Sequence, residues 1–148
     1  MPKVNLAEIE QANRTGYPAP FDQPVAGRWQ RPIGDKMGMK ELGARHVVLE
    51  PGAWSSQRHW HDGEDELLVM LSGTAILVED EGETEVAAGD ILAWPMGTRN
   101  GHHLINRGRE PCSFICVSAG RNSGGGYSDI DMLFTADDRY VHKDGTAY

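Results

Sequence analysis

Residues 58–66 read RHWHDGEDE, two imidazoles and four carboxylates set directly before the apolar run Leu67–Leu71. Alternate side chains of an extended chain share a face. His59 and His61 therefore aim together, with Arg58 and Trp60 opposite. Asp62-Gly63 can turn the chain back, so that Glu66, opening the next strand, reaches the space before both rings. Two imidazole nitrogens and one carboxylate oxygen suit borderline and hard divalent ions, and a facial set leaves positions open for water or substrate. Glu64 and Asp65 read as solvated loop residues or, at most, as groups that stand behind the ligands. A second cluster, PMGTRNGHHLIN over 95–106, offers a further imidazole. His102 and His103 are adjacent on a predicted strand, so only one of them can point inward.

These residues need a scaffold. A chain of 148 residues fits one domain with its own core. Its 18 glycines and 8 prolines favour short elements joined by turns, hence β structure. Strands are predicted over 44–50, 54–60, 66–71, 74–79, 83–87, 91–94, 101–106 and 112–118. Turn signals such as Pro51-Gly52, Ser72-Gly73 and Gly89-Asp90 separate them. A helix is predicted over 5–13, where Asn5 and Glu8 make a cap signal. Residues 1–43 read as a wrapping segment with an edge strand at Arg28–Gln30, 44–119 as a barrel core, and GRNSGGG over 120–126 as a flexible linker. The tail, 120–148 as a whole, reads as an extension that adds a strand pair and packs on the barrel or on a dimer partner.

A net charge of −8 gives no basic footprint for nucleic acid and no attraction to an anionic membrane surface. Cys112 and Cys116 lie four residues apart on one strand, ~13 Å at ~3.3 Å per residue, too far for a disulfide. Free thiols and an N-terminus without an apolar leader make the cytoplasm the expected compartment.

With both clusters in view, the chain resembles the cupins. The first cupin motif stands here as Gly52, His59-Trp60-His61, Glu66 and Gly73, and its opening loop is one residue longer than usual. The second stands as Gly89, Pro95-Met96-Gly97, His102 and Asn106, with two extra residues before the histidine. PGAWSSQRHWH, NGHHLINR and HKDGTAY are similar to a group of small bacterial single-domain cupins without a settled reaction, some labelled sugar-phosphate isomerases. The resemblance implies an all-β fold, a double-stranded β-helix or jelly-roll barrel. It implies one divalent ion (Zn, Mn, Fe, Ni, Co or Cu) on His59, His61, Glu66 and His102, with His-x-x-x-Asn spacing selecting His102. It also implies a homodimer.

Side chains sharing the ligand faces outline a pocket for a small molecule: Gln57, Met70, Leu104 and Phe114, with Trp94 at one end and Arg99 at the mouth. The expected function is a metal-dependent enzyme acting on a small oxygen-rich substrate, by isomerase, lyase or dioxygenase chemistry, with Glu66 holding charge and relaying a proton. A sugar-phosphate isomerase or epimerase is the alternative, for which Arg99, Arg107 and Arg109 are available to a phosphate. A non-catalytic small-molecule-binding cupin is the third reading.

Overall fold

The structure, a computed structural model, describes residues 3–148; Met1 and Pro2 of the N-terminal segment lie outside the described residues. Twelve strands follow in chain order. They are β1 (Arg28–Pro32), β2 (Leu42–Leu49), β3 (His59–His61), β4 (Glu64–Ser72), β5 (Thr74–Glu79), β6 (Gly82–Ala87), β7 (Ile91–Trp94), β8 (His103–Ile105), β9 (Cys112–Gly120), β10 (Gly125–Tyr127), β11 (Leu133–Phe134) and β12 (Tyr140–Val141). One wall is the antiparallel sheet β1-β2-β9-β4-β7. The other is assembled from β12-β11-β10-β3 and from β6-β5-β8. Paired backbone bonds between His59 and His102, and a bridge from Trp54 to Ile105, join these two pieces.

Period-2 patterning sets the interior. On β4, Leu68 and Met70 are buried, while Leu67 and Leu71 on the opposite face stay exposed. On β5, Ala75 and Leu77 turn inward to meet them across the barrel. The tight turn between β4 and β5 needs Gly73, whose φ is 70° and whose added Cβ would sit 2.8 Å from the Cys112 Cβ.

The register of the first wall converts sequence into depth. Gln30, Val47, Phe114 and Met70 form one inward row. Arg45, Cys116, Leu68 and Leu92 form the next, and Gly43, Ser118, Glu66 and Trp94 the one after. The barrel thus runs from an apolar end, packed by Leu49, Met70, Cys112 and Phe114, to a polar end that opens at Glu66.

Three expectations change. The helix predicted over 5–13 is a single 3-10 turn, Leu6–Glu8, capped by the Asn5 side chain. Beyond it the backbone is claimed by the sheet edge, where Ala12 and Gln30 exchange both hydrogen bonds. The α-helix that does form is Ile33–Met37, closed by Gly38 at a φ of 71°. The strand predicted over 54–60 starts only at His59, because the Ser55 side chain takes the Leu104 N–H and interrupts the ladder. The triple glycine is no linker: Gly125 and Gly126 are buried in β10 and pair with His61 and Trp60 of β3. No helix among the described residues is long and apolar enough to cross a membrane.

Candidate metal centre

His59 and His61 bracket Trp60 on β3, so both rings enter the open end of the barrel. Glu66 enters from β4 in the facing wall. The chain does not fold back beside β3 as a paired strand; it crosses to the five-stranded sheet, and Asp62 donates its N–H to the Gly124 carbonyl. One ligand atom from each of His59, His61 and Glu66 lies within 4.8 Å of the others. The Nε2 atoms of His59 and His61 are 3.1 Å apart. His102, held beside β3 by its backbone pairing to His59, puts its Nε2 2.8 Å from Glu66 Oε2. His103 turns to the other face, where its Nδ1 meets the Ser56 carbonyl at 2.8 Å and its ring packs edge-on against Trp54.

The other nitrogen of each ring decides what the cluster can hold. His59 Nδ1 has the Gln57 carbonyl at 3.0 Å and Ser56 Oγ at 3.1 Å. His102 Nδ1 has the Asn100 carbonyl at 3.2 Å, and its ring stacks on Trp94 at 3.8 Å. His61 Nδ1 is buried, and Glu64 Oε2 stands 3.4 Å from it. A carbonyl only accepts, so the acceptors behind His59 and His102 draw the ring proton to Nδ1 and leave Nε2 as a lone pair, while His61 Nδ1 makes no hydrogen bond. Such outer partners fix ring tautomer and orientation in metal sites. The lone-pair nitrogen of His59 lies 3.1 Å from His61 Nε2 and that of His102 lies 2.8 Å from a carboxylate oxygen, and a lone pair that close to a carboxylate is repelled unless a cation or a proton stands between them. The donor set therefore fits a divalent ion.

The titration behaviour agrees. Burial, only partly offset by the Glu66 carboxylate, holds His59 down at about 3, so its lone pair is free at neutral pH. Burial would raise the Glu66 carboxyl, but its contact with His102 and the neighbouring imidazoles outweigh it and hold Glu66 below the usual carboxylate range. Burial would also lower His61, yet Glu64 and Glu66 together raise it, a sign that this corner calls for positive charge. The Cys116 thiol donates to Glu66 Oε1 at 2.9 Å; burial and that carboxylate push its pKa well above the ordinary thiol range. It is a positioned donor rather than a nucleophile.

The cluster opens into a cavity of about 480 Å³. Trp94, Leu104 and Phe114 line it. Three other residues singled out from the sequence lie outside the lining. Gln57 is buried, but its Nε2 donates to the Phe21 carbonyl and anchors that loop instead. Met70 sits one row deeper than Leu68, in the closed core beside Phe114. Arg99 is 75% exposed and pairs with Asp62 at 3.9 Å.

The comparisons with known proteins bear on this geometry. Residues 45–118 match the family model described as the cupin domain. The chain belongs to the cupins. A crystal structure of a sugar phosphate isomerase from a cupin superfamily, from Silicibacter pomeroyi, is 36% identical, with 99% of this chain and 96% of that one covered and a TM-score of 0.92. A Klebsiella pneumoniae protein with a double-stranded β-helix domain is 25% identical, over 61% of this chain and 76% of that one, at a TM-score of 0.54. The polyketide cyclase RemF of Streptomyces resistomycificus shares the fold at 20% identity and a TM-score of 0.71, with 88% and 87% covered. No curated protein matches the chain.

In this cupin the segments outside the motif region finish the cavity. Tyr17 from the N-terminal segment and Tyr127, Phe134 and Tyr140 from the C-terminal strands form an aromatic wall over the histidines. The Tyr127 ring centre lies 5.9 Å from that of His59, and Phe134 stands 5.3 Å from His61. The chain has four tyrosines and three of them meet here. Sequence reasoning also missed Arg28 and Arg45, which face the same cavity. The available signal was alternation: Arg28 and Gln30 share one face of the edge strand, and Arg45 precedes Val47 and Leu49 on the inward face of β2. Of the arginines expected to serve a phosphate, Arg107 is instead engaged on the surface by Glu83 at 2.6 Å.

Proposed function

We propose that this cupin is a metal-dependent enzyme acting on a small oxygen-rich substrate, with His59, His61, Glu66 and His102 holding one divalent cation. The observation that carries this reading is the convergence of three Nε2 atoms and one carboxylate, with carbonyl acceptors behind the His59 and His102 rings. When bound, such an ion supplies Lewis acidity that polarises substrate oxygens, the demand of isomerase and lyase chemistry. The chain's own contribution is position and dryness. Trp94 locks the His102 ring by stacking, and Ser56 with the Gln57 carbonyl locks His59. Leu68, Leu104 and Phe114 exclude water from the inner side of the cavity. Glu66 stays ionised, balances positive charge, and shares a hydrogen bond with Cys116.

Among reactions, sugar-phosphate isomerisation is favoured by the description of the structure that aligns over 99% of the chain at 36% identity. The test is elemental analysis of protein purified without a histidine tag or chelator, beside a His59→Ala, His102→Ala double variant. Near-stoichiometric metal in the native protein and none in the variant is expected. Native protein that stays empty after titration with each divalent ion would overturn the reading. The metal found would direct the activity screen, zinc or manganese toward aldose–ketose interconversion and iron toward dioxygen chemistry.

A further inference from the structure

Four of the ten arginines pair with acidic side chains: Arg58 binds Asp80 and Asp129, Arg99 faces Asp62, Arg107 binds Glu83 and Arg139 binds Asp137. The two that face the cavity do not. Neither Arg28 nor Arg45 has an ion-pair partner among the described residues, although the chain carries a net charge of −8. Arg28 is half-buried, and a partly buried guanidinium with no countercharge is costly to keep unless something pairs with it; Arg45 beside it is exposed and adds a second positive charge.

The donors left over on Arg28 say what that something is. A guanidinium has five N–H donors in a planar fork. Nη1 gives one to the Ser55 carbonyl at 2.7 Å. With the Gln30 amide turned so that its oxygen faces the guanidinium, Nε and Nη2 each give one to it, at 3.1 and 3.3 Å. One N–H remains on each terminal nitrogen, and both are available to the oxygens of an anion. These bonds also draw the Arg28 side chain along β1 toward Gln30, the neighbour of the Arg45 row. Arg45 has no hydrogen-bond partner among the described residues, and all its donors are free.

The surroundings suit the same guest. Arg28, Arg45, Gln30, Tyr17 and Tyr140 line both this cavity and a second one of about 710 Å³ bordered by residues 9–17 of the N-terminal segment, so they form the partition between the two. The ring centres of Tyr17 and Tyr140 are 5.4 Å apart. Burial pushes the Tyr17 phenol up to about 12 and raises Tyr140, so both hydroxyls keep their protons and can donate. The partition offers cations and hydroxyl donors with no carboxylate in ion-pair contact with either arginine.

We propose that Arg28 and Arg45, with the Tyr17 and Tyr140 hydroxyls, form an oxyanion subsite that grips the phosphate or carboxylate group of the substrate whose oxygen-rich end lies at the histidine cluster. The proposal rests on the functional reading above in taking the cavity as a substrate site. It adds a substrate requirement, an anionic group at the end remote from the reacting oxygens.

The test titrates the full chain, dialysed against chelator, with inorganic phosphate and separately with acetate, by calorimetry. Removing metal first prevents the anion from binding through an ion at the cluster. Saturable binding of one of the two is expected, and the preferred probe tells a phosphate ester from a carboxylate. Arg45→Gln should weaken it at least tenfold. Arg28→Lys, which keeps the charge and loses the fork, should also weaken it. Thermal melts confirm that each variant is folded, and Arg45→Gln removes no contact the fold uses. The His59→Ala, His102→Ala variant should bind the anion as the native chain does. No saturable binding, binding indifferent to Arg45→Gln and Arg28→Lys, or binding lost only in the histidine variant would each overturn the subsite. Metal content of the same preparations, measured before the chelator step and again after titration with each divalent ion, separates the two claims. Arginine-dependent anion binding in a chain that takes up no metal sinks the metal reading alone. Metal uptake without anion binding sinks the subsite alone.

Discussion

His102 and His103 are neighbours of one residue type with opposite duties, and the pleat alone divides them. His102 faces Glu66, and His103 is buried 4% exposed against Trp54 with its Nδ1 on the Ser56 carbonyl. Burial lowers the pKa of His103, with the bond to Ser56 pulling the other way and losing. The consequence for stability has a definite sign. Below the ordinary histidine value of about 6.5 the unfolded chain takes up a proton that the folded chain refuses, so stability is full above that pH and is lost as pH falls toward the folded value. His103→Asn keeps an N–H for the Ser56 carbonyl but does not titrate. Its melting temperature should therefore fall less than that of the native chain between pH 7 and pH 5. Parallel slopes would show that His103 binds protons equally in both states. His59, also lowered by burial, contributes the same sign in both proteins and cancels in the comparison.

At the scale of elements, β10 is where composition misleads most. Glycine-rich runs usually read as flexible linkers, yet Gly125–Tyr127 is a buried strand between β3 and β11. Glycine is there for closeness. A Cβ on Gly126 would stand 2.4 Å from the Trp60 ring, and one on Gly125 would stand 2.0 Å from the Trp60 carbonyl oxygen. Gly126→Ala should cost about 1–3 kcal/mol, the usual range for overpacking, because a ring can shift. Gly125→Ala should cost more, since a backbone oxygen cannot turn aside. Urea denaturation of both variants checks the order, and equal small losses would mean that β10 is loosely held. The same contrast explains what was legible. His59, His61, Glu66 and His102 sit in short motifs whose period-2 spacing survives into the structure. Strand positions over 66–94 were likewise readable, because each alternation is local. Arg28, Arg45 and the three tyrosines were not, because sheet order brings them in: Leu42 pairs with Ala119, and β1 reaches the cavity only through β2 and β9. The helix signal at 5–13 failed for a related reason, since the edge of β1 offers Ala12 better hydrogen bonds than a helix of its own.

At the scale of the whole molecule, the candidate ligands come from both walls. His59, His61 and His102 belong to the wall containing β3, while Glu66 belongs to the five-stranded sheet. The apolar core of Leu49, Met70, Leu77, Cys112 and Phe114 already joins the walls at the closed end. A cation at the open end would be a second clamp, absent from the unfolded chain. Binding only to the native state stabilises it by about 2.7 kcal/mol when the free ion is at a hundredfold its Kd. For a domain near 150 residues that corresponds to roughly 5–10 °C in melting temperature. Chelator treatment should lower the melting temperature by that amount and leave the far-ultraviolet circular dichroism unchanged, because the closed-end core needs no ligand. His102→Ala should largely abolish the chelator effect, as it removes one imidazole from the set. Arg45→Gln should leave it intact, because that side chain belongs to the partition and not to the cluster. A native chain whose melting is indifferent to chelator and to added zinc or manganese would show that the open end is held by protons and hydrogen bonds alone. In that case the His102–Glu66 contact is a proton-bearing hydrogen bond, and Glu66→Gln should then be tolerated with little loss of stability.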